Sequence, residues 1–124
     1  MANEITVSGS LSVAKGNLGA ESLAISTFRA TMAGNKVTKA VQSIPTTAGG
    51  TAIKLGDLAS AGYYIMKNLD PTNYVELLDS VSGTKFGQID PGGFALGKFS
   101  SNVTAPAAIS HTAACLLEYE ICEL

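Results

Sequence analysis

Tryptophan is absent from this chain, histidine occurs once, cysteine twice, and charged residues fill only 15% of its 124 positions. Each shortage closes off a class of function. Triad-type hydrolysis needs a base within hydrogen-bond reach of the nucleophile. The one candidate base, His111, stands in a Ser-His-Thr stretch, and Cys115 follows four residues later, which is not contact spacing in a strand or a loop. Cys115 and Cys122 lie seven apart in one apparent strand and so point to opposite faces. They cannot bridge each other there, nor close a tetrahedral zinc site with a single histidine. Free thiols of this kind fit a reducing cytoplasm. Asp57, Asp70, Asp79 and Asp90 are isolated, without the closely spaced oxygen ligands of a calcium loop, and three of them fall in turns, where Asp accepts backbone hydrogen bonds. Glu118 and Glu120 share a strand face that reads as solvated, not as a glycosidase cleft. The expectation is a non-enzyme with no catalytic, metal or cofactor-binding residue and no cofactor.

Charge of either sign is also scarce. A net charge of −2, with basic residues few and scattered, gives no electrostatic footprint for nucleic acid or for an anionic membrane. The Gly-rich pieces at 48–56 and 90–97 lack the Gly-Lys-Ser/Thr ending of a phosphate loop and read as turns. The longest charge-free run, 100–117, contains Asn102, Pro106 and His111 and cannot span a bilayer. Glu4, Ser8 and Ser10 interrupt any apolar stretch near the start, so no secretory signal is expected.

What the chain does have is small residues. Gly, Ala, Ser and Thr supply 53 positions, and mean hydropathy is +0.25. A free monomer ordinarily carries more charge for solubility. This composition suits a permanent assembly in which neighbours cover much of the outer surface. The charges are unevenly divided: residues 1–54 carry a net +3 and residues 55–124 a net −5. Opposite faces of opposite sign would favour head-to-tail attraction between copies.

The hydrophobic period is two almost throughout, and no segment of 11 or more residues shows a helical period. Ile5, Val7, Leu11 and Val13 alternate with Thr6, Ser8, Ser10 and Ser12. Residues 23–32 and 36–44 read as strands joined in a hairpin through Ala33-Gly34-Asn35. Further strands are expected at 51–55, 62–68, 74–79, 84–89, 94–99 and 114–121, with 62–68 and 74–79 forming a second hairpin around Asp70-Pro71. Asp90-Pro91-Gly92-Gly93 has type II turn chemistry, and 100–113 reads as a loose stretch. In the last strand Cys115, Leu117, Tyr119 and Ile121 should face the core and Glu118 and Glu120 the outside. The expected fold is all-β: one antiparallel β-sandwich domain over residues 1–124, with about nine short strands and jelly-roll connection as the favoured order.

Three stretches carry a resemblance. GYYIMKNLDPTNYVELL at 62–78, DPGGFALGKF at 90–99 and LEYEI at 117–121 resemble small virion structural proteins of tailed bacteriophages. The likeness covers residues 60–124, about half of the chain. It implies a β-sandwich component of a capsid or tail, best matched to a decoration or cement protein that binds and bridges capsid subunits. Its partners would be further copies of itself, as a trimer or dimer, and the major capsid protein or another virion protein. Its location would be the virion, after synthesis in the host cytoplasm. A tail, collar or fibre-associated role is the alternative within that class. A carbohydrate- or receptor-binding sandwich is the alternative outside it, with Tyr63, Tyr64 and Tyr74 as a stacking surface; packing between strands explains the same tyrosines.

The candidate interface residues are therefore Ile5, Val7, Leu11 and Val13 of the first strand, with Tyr63, Tyr64 and Tyr74. The first strand precedes a turn expected at Lys15-Gly16-Asn17, and at a sheet edge its unpaired backbone groups would be open to a neighbour. The lone histidine and separated cysteines yield a test: His111→Ala should leave assembly intact, and Cys115→Ser should cost only modest packing. Loss of assembly in a folded His111→Ala protein, measured by sedimentation alongside circular dichroism, would count against a purely structural histidine.

Overall fold

The computed structural model describes residues 4–14, 16, 20–32 and 34–123. The described residues form ten strands and no α-helix. The chain divides into two compact units, residues 1–33 and 34–124. The sandwich belongs to the second unit, which narrows the expected single sandwich over 1–124.

The first unit is a two-stranded antiparallel ribbon of β1 (Ile5–Ala14) and β2 (Ala20–Ala30). Their register runs from Ile5 opposite Ala30 to Ala14 opposite Ala20, with a bulge between Val7 and Gly9. The reversal falls where the first turn is expected, though Lys15 and Asn17 lie outside the described residues, as does Ala33 of the other expected turn.

The second unit contains β3 (Val37–Ile44), β4 (Thr51–Ala52), β5 (Ala61–Asn68), β6 (Val75–Leu78), β7 (Lys85–Ile89), β8 (Phe94–Lys98), β9 (Ala107–Ser110) and β10 (Cys115–Glu123). They build two four-stranded sheets, in the orders β3-β10-β5-β8 and β4-β9-β6-β7, with every pairing antiparallel. Only β6 and β7 follow each other within one sheet; every other connection crosses to the opposite sheet. Eight strands wound this way are a jelly roll.

That winding corrects two expected hairpins. β2 and β3 are not partners: β2 pairs with β1, and β3 pairs with β10. β5 and β6 are not partners either, since β5 lies between β10 and β8 while β6 lies between β9 and β7. Turn chemistry states that the chain bends but not whether it stays in its sheet. Here the bends carry it across the core. The loose stretch also hides a strand, β9. Its residues Ala107, Ala108 and Ser110 are fully buried, so it shows no alternation for a period-two reading to find.

One core lies between the two sheets. Ile44, Met66, Leu117, Tyr119 and Ile121 from one sheet meet Val75, Leu77, Ile89 and Ala108 from the other. The expected facing of β10 holds: Cys115, Leu117, Tyr119 and Ile121 are buried, and Glu120 is exposed. Both cysteines are buried and free, and burial raises the pKa of each thiol.

Buried polar side chains substitute for missing ladder bonds between the sheets. Gln42 donates from Nε2 to the carbonyl of Ala52 (3.0 Å) and accepts from the N–H of Lys54 (2.9 Å). The Tyr119 hydroxyl donates to the carbonyl of Lys54 (2.8 Å), and Ser110 Oγ donates to the carbonyl of Ile44 (2.7 Å). Asn68, 1% exposed, organises the crossing at 68–73. Its Nδ2 donates to the carbonyls of Asn73 (2.8 Å) and Ile89 (3.1 Å), and its Oδ1 accepts from the N–H of Asp70 (3.0 Å). Asp70 then accepts the N–H groups of Asn73, foremost, and Thr72, which hold its carboxyl below the usual range. The Asp90–Gly93 turn has the expected type II form, with Gly92 at φ 70° and the Gly93 N–H donating to the Asp90 carbonyl.

Asn68→Ala should destabilise the sandwich by about 2–3 kcal/mol, because two buried carbonyls lose their donor. Asn68→Asp has nearly the same shape but faces those carbonyls with a carboxylate. Its loss, measured by urea unfolding, should shrink as the pH is lowered far enough to protonate the new carboxyl. Equal stability of Asn68→Ala and the parent protein would refute the bridging role.

Candidate interaction surfaces

The ribbon separates its side chains by chemistry. Leu11 stands directly opposite Leu23, and Gly9 opposite Ile25, so Leu11, Val13, Leu23 and Ile25 share one face. The other face carries Thr6, Ser8, Ser10, Ser12, Ser22 and Ala24. Leu11 is 67% exposed and Leu23 77%. Val13 and Ile25 are also exposed, while Ile5 is half-buried and Val7 buried. Of the expected interface residues, the structure thus brings Leu11 and Val13 together on an open face. Leu23 and Ile25 complete that face and are absent from the expected set. Their alternation across residues 22–26 is the signal that would have found them.

A two-stranded ribbon is marginal in water by itself. This one keeps four large apolar side chains exposed in a chain with few charges to compensate. Burying each against a partner is worth about 1–2 kcal/mol.

The outer face of the β3-β10-β5-β8 sheet is a second open surface. Val37 and Val41 of β3, Leu116 of β10, and Phe94 and Leu96 of β8 are exposed there. Between them sit Lys39, Lys67, Glu118 and Glu120, with Lys67 Nζ 3.4 Å from Glu118 Oε1 across the β5–β10 pair. A shallow depression of about 330 Å³ lies over these charges.

The three candidate tyrosines do not converge. Tyr63 and Tyr64 are neighbours on β5 and face opposite ways. Tyr63 is on the outer face, with Lys98 Nζ 5.6 Å from its ring centre. Tyr64 packs against the core with its ring 4.4 Å from that of Phe99, and burial raises its pKa. Tyr74 stands before β6, 5.3 Å from the His111 ring. His111 Nε2 is 3.1 Å from Glu76 Oε2, and Lys85 Nζ donates to Glu76 Oε1 at 2.8 Å, which lowers the Glu76 pKa. Tyr64 instead shares a groove of about 350 Å³ with Phe86 and Phe99, rimmed by Asp79, Lys98 and Asn102. Among the described residues, no group of three or more His, Cys, Asp and Glu is placed to hold a metal ion. Among the described residues, no helix is long and apolar enough to cross a membrane either.

The start of the sandwich, next to the ribbon in sequence, is fastened by a buried carboxylate. Glu123 accepts the N–H of Ala59 at Oε1 (2.9 Å) and the N–H of Asn35 at Oε2 (3.1 Å). The Ala59 N–H leads in holding its pKa below the usual carboxylate range, followed by the Asn35 N–H and the charge of Lys36. This contact, and not a hairpin, is what favours glycine at position 34: a Cβ there would run into the Glu123 carboxylate and displace it.

Comparison of the chain with protein-family models, with curated proteins and with solved structures finds no match.

The Glu123 clamp has a pH signature. Because the folded-state pKa is depressed, its stabilisation is fully present above the unfolded-state value and is lost as the pH falls through the folded-state value. Glu123→Gln should lower stability at neutral pH and flatten the acid limb of the stability curve. Gly34→Ala should destabilise by displacing the same carboxylate. An unchanged acid limb in Glu123→Gln would refute the clamp.

Proposed function

We propose that this protein is a structural component that works by assembly, and that the assembly is a virus particle, with capsid decoration as the specific role. One observation carries the assembly reading: the β1–β2 ribbon keeps Leu11, Val13, Leu23 and Ile25 on one exposed face with no core of its own beneath them. Such a face is stable on a partner and costly in water. The second open surface and the low charge support the same reading. The virion and decoration terms rest on the sequence resemblance of residues 60–124. The jelly-roll fold is compatible with that setting, since capsid proteins use it, but lectins use it as well. The partners are further copies of the chain and a capsid or other virion protein, and the location is the virion.

A carbohydrate-binding role has one observation in its favour, the groove formed by Tyr64, Phe86 and Phe99 with polar residues at its rim. Specific recognition on a glycan array, without association with particles, would favour that role.

Particles banded on a density gradient should carry the chain in many copies, and purified chain should bind particles stripped of it. Leu11→Ser with Leu23→Ser should weaken that association by about tenfold or more, while the sandwich keeps its unfolding transition. A chain that stays monomeric and never bands with particles would overturn the proposal.

A further inference from the structure

We infer that two copies of this chain join edge to edge through β1, antiparallel about Gly9, to make a continuous four-stranded sheet β2-β1-β1-β2. The inference rests on the assembly reading and names its first contact. Among the described residues the ribbon has two strands, so each has one edge without a strand neighbour there. Proteins usually blunt such edges with charge, proline or a bulge. β1 has neither charge nor proline over Ile5–Ala14, and the bulge puts its extra residue on β2, since one residue separates Val7 from Gly9 but two separate Ile25 from Phe28; residues 8–14 are exposed. Its edge is unprotected.

The sequence of β1 is complementary to itself. Around Gly9 it reads outward as Ser8 and Ser10, Val7 and Leu11, Thr6 and Ser12, Ile5 and Val13. Antiparallel pairing with a second β1 centred on Gly9 sets each member of these couples opposite the other. Hydroxyl residues then meet hydroxyl residues on one face, and apolar residues meet apolar residues on the other. Directly opposed residues of an antiparallel pair share a face, and such like-with-like couples are the units that stabilise a sheet. The two-fold axis passes through the Gly9 pair, perpendicular to the sheet, so the contact is isologous and closes as a dimer. Gly9 also has room: a Cβ there would meet only Ile25 Cδ1, at 4.0 Å.

β2 is the poorer edge for this purpose. Centred on Ile25, a β2–β2 pair would set Leu23 against Thr27, an apolar residue against a polar one. The bulge in the ribbon further breaks its regularity. The β1 pairing doubles the apolar face, placing Leu11, Val13, Leu23 and Ile25 of both copies on one side of a single sheet. That enlarged face is the surface a particle would cover.

Disulfide trapping in the full-length chain tests the register. Cα atoms of opposed residues lie roughly 4.5–5.5 Å apart, within the span of about 4.4–6.8 Å that a disulfide accepts. Gly9→Cys should therefore form a disulfide-linked dimer on mild oxidation. Val13→Cys should not link to its own copy, because the two positions would sit about 27 Å apart along the strands. Val13→Cys mixed with Ile5→Cys should give the mixed dimer. The parent protein, whose two cysteines are buried, is the control, and it should sediment as a dimer or a multiple of one. A monomeric parent protein would overturn the inference, and the assembly reading with it only where that monomer also fails to band with particles. A parent that assembles while Gly9→Cys fails to link, or links no better than Val13→Cys, would overturn the inference alone.

Discussion

β10 is hydrogen-bonded along both edges, to β3 and to β5, and everything else in the sandwich is arranged around that fact. A strand with two partners has no freedom of register, so its alternation must match both neighbours at once. Its inward residues Leu117, Tyr119 and Ile121 meet the opposite sheet, and its outward residues Glu118 and Glu120 reach toward Lys67 and Lys39. The last strand of the chain thus sits in the interior of its sheet, between strands much earlier in sequence. The β3–β5 side of the sheet is not complete until β10 is in place between them.

Crossing between sheets at nearly every connection leaves backbone groups at the ends of strands without ladder partners. The protein answers with side chains. Gln42 extends the reach of β3 toward the chain around Lys54, Asn68 ties its own turn to the end of β7, and Glu123 gathers the N–H groups of Asn35 and Ala59. Among the described residues, no buried side-chain nitrogen or oxygen lacks a hydrogen-bond partner. A jelly roll with so little charge can tolerate buried polar groups only on that condition.

The ribbon obeys a different economy. The sandwich hides its apolar residues between two sheets, whereas the ribbon displays them on one. The same period-two grammar therefore serves both folding and association, and only the presence of a second layer distinguishes the two. In β10 the layer belongs to the same chain. For β1 and β2 the proposal is that partners supply it, with the charge-free edge of β1 as the place where a copy of the same strand fits.

Residue order alone makes the protein all-β, places most of the strands, divides the residues of β10 between inside and outside, and supplies the turn chemistry at Asp70 and Asp90. These are local properties: alternation and turn-forming side chains act within a few residues of where they are read. Half of the open ribbon face, Leu11 and Val13, was legible for the same reason. Which strands pair was decided only by the tertiary structure. The bends at 33–35 and 69–74 read as hairpins but lead elsewhere, because a turn sets direction and the packing of the far strand sets the partner. β9 leaves no alternation in the sequence because it is buried on both faces. Gly34 shows the same division at one residue: the sequence marks it as a turn glycine, while the structure favours it because a side chain there would displace the carboxylate of Glu123, 89 positions later.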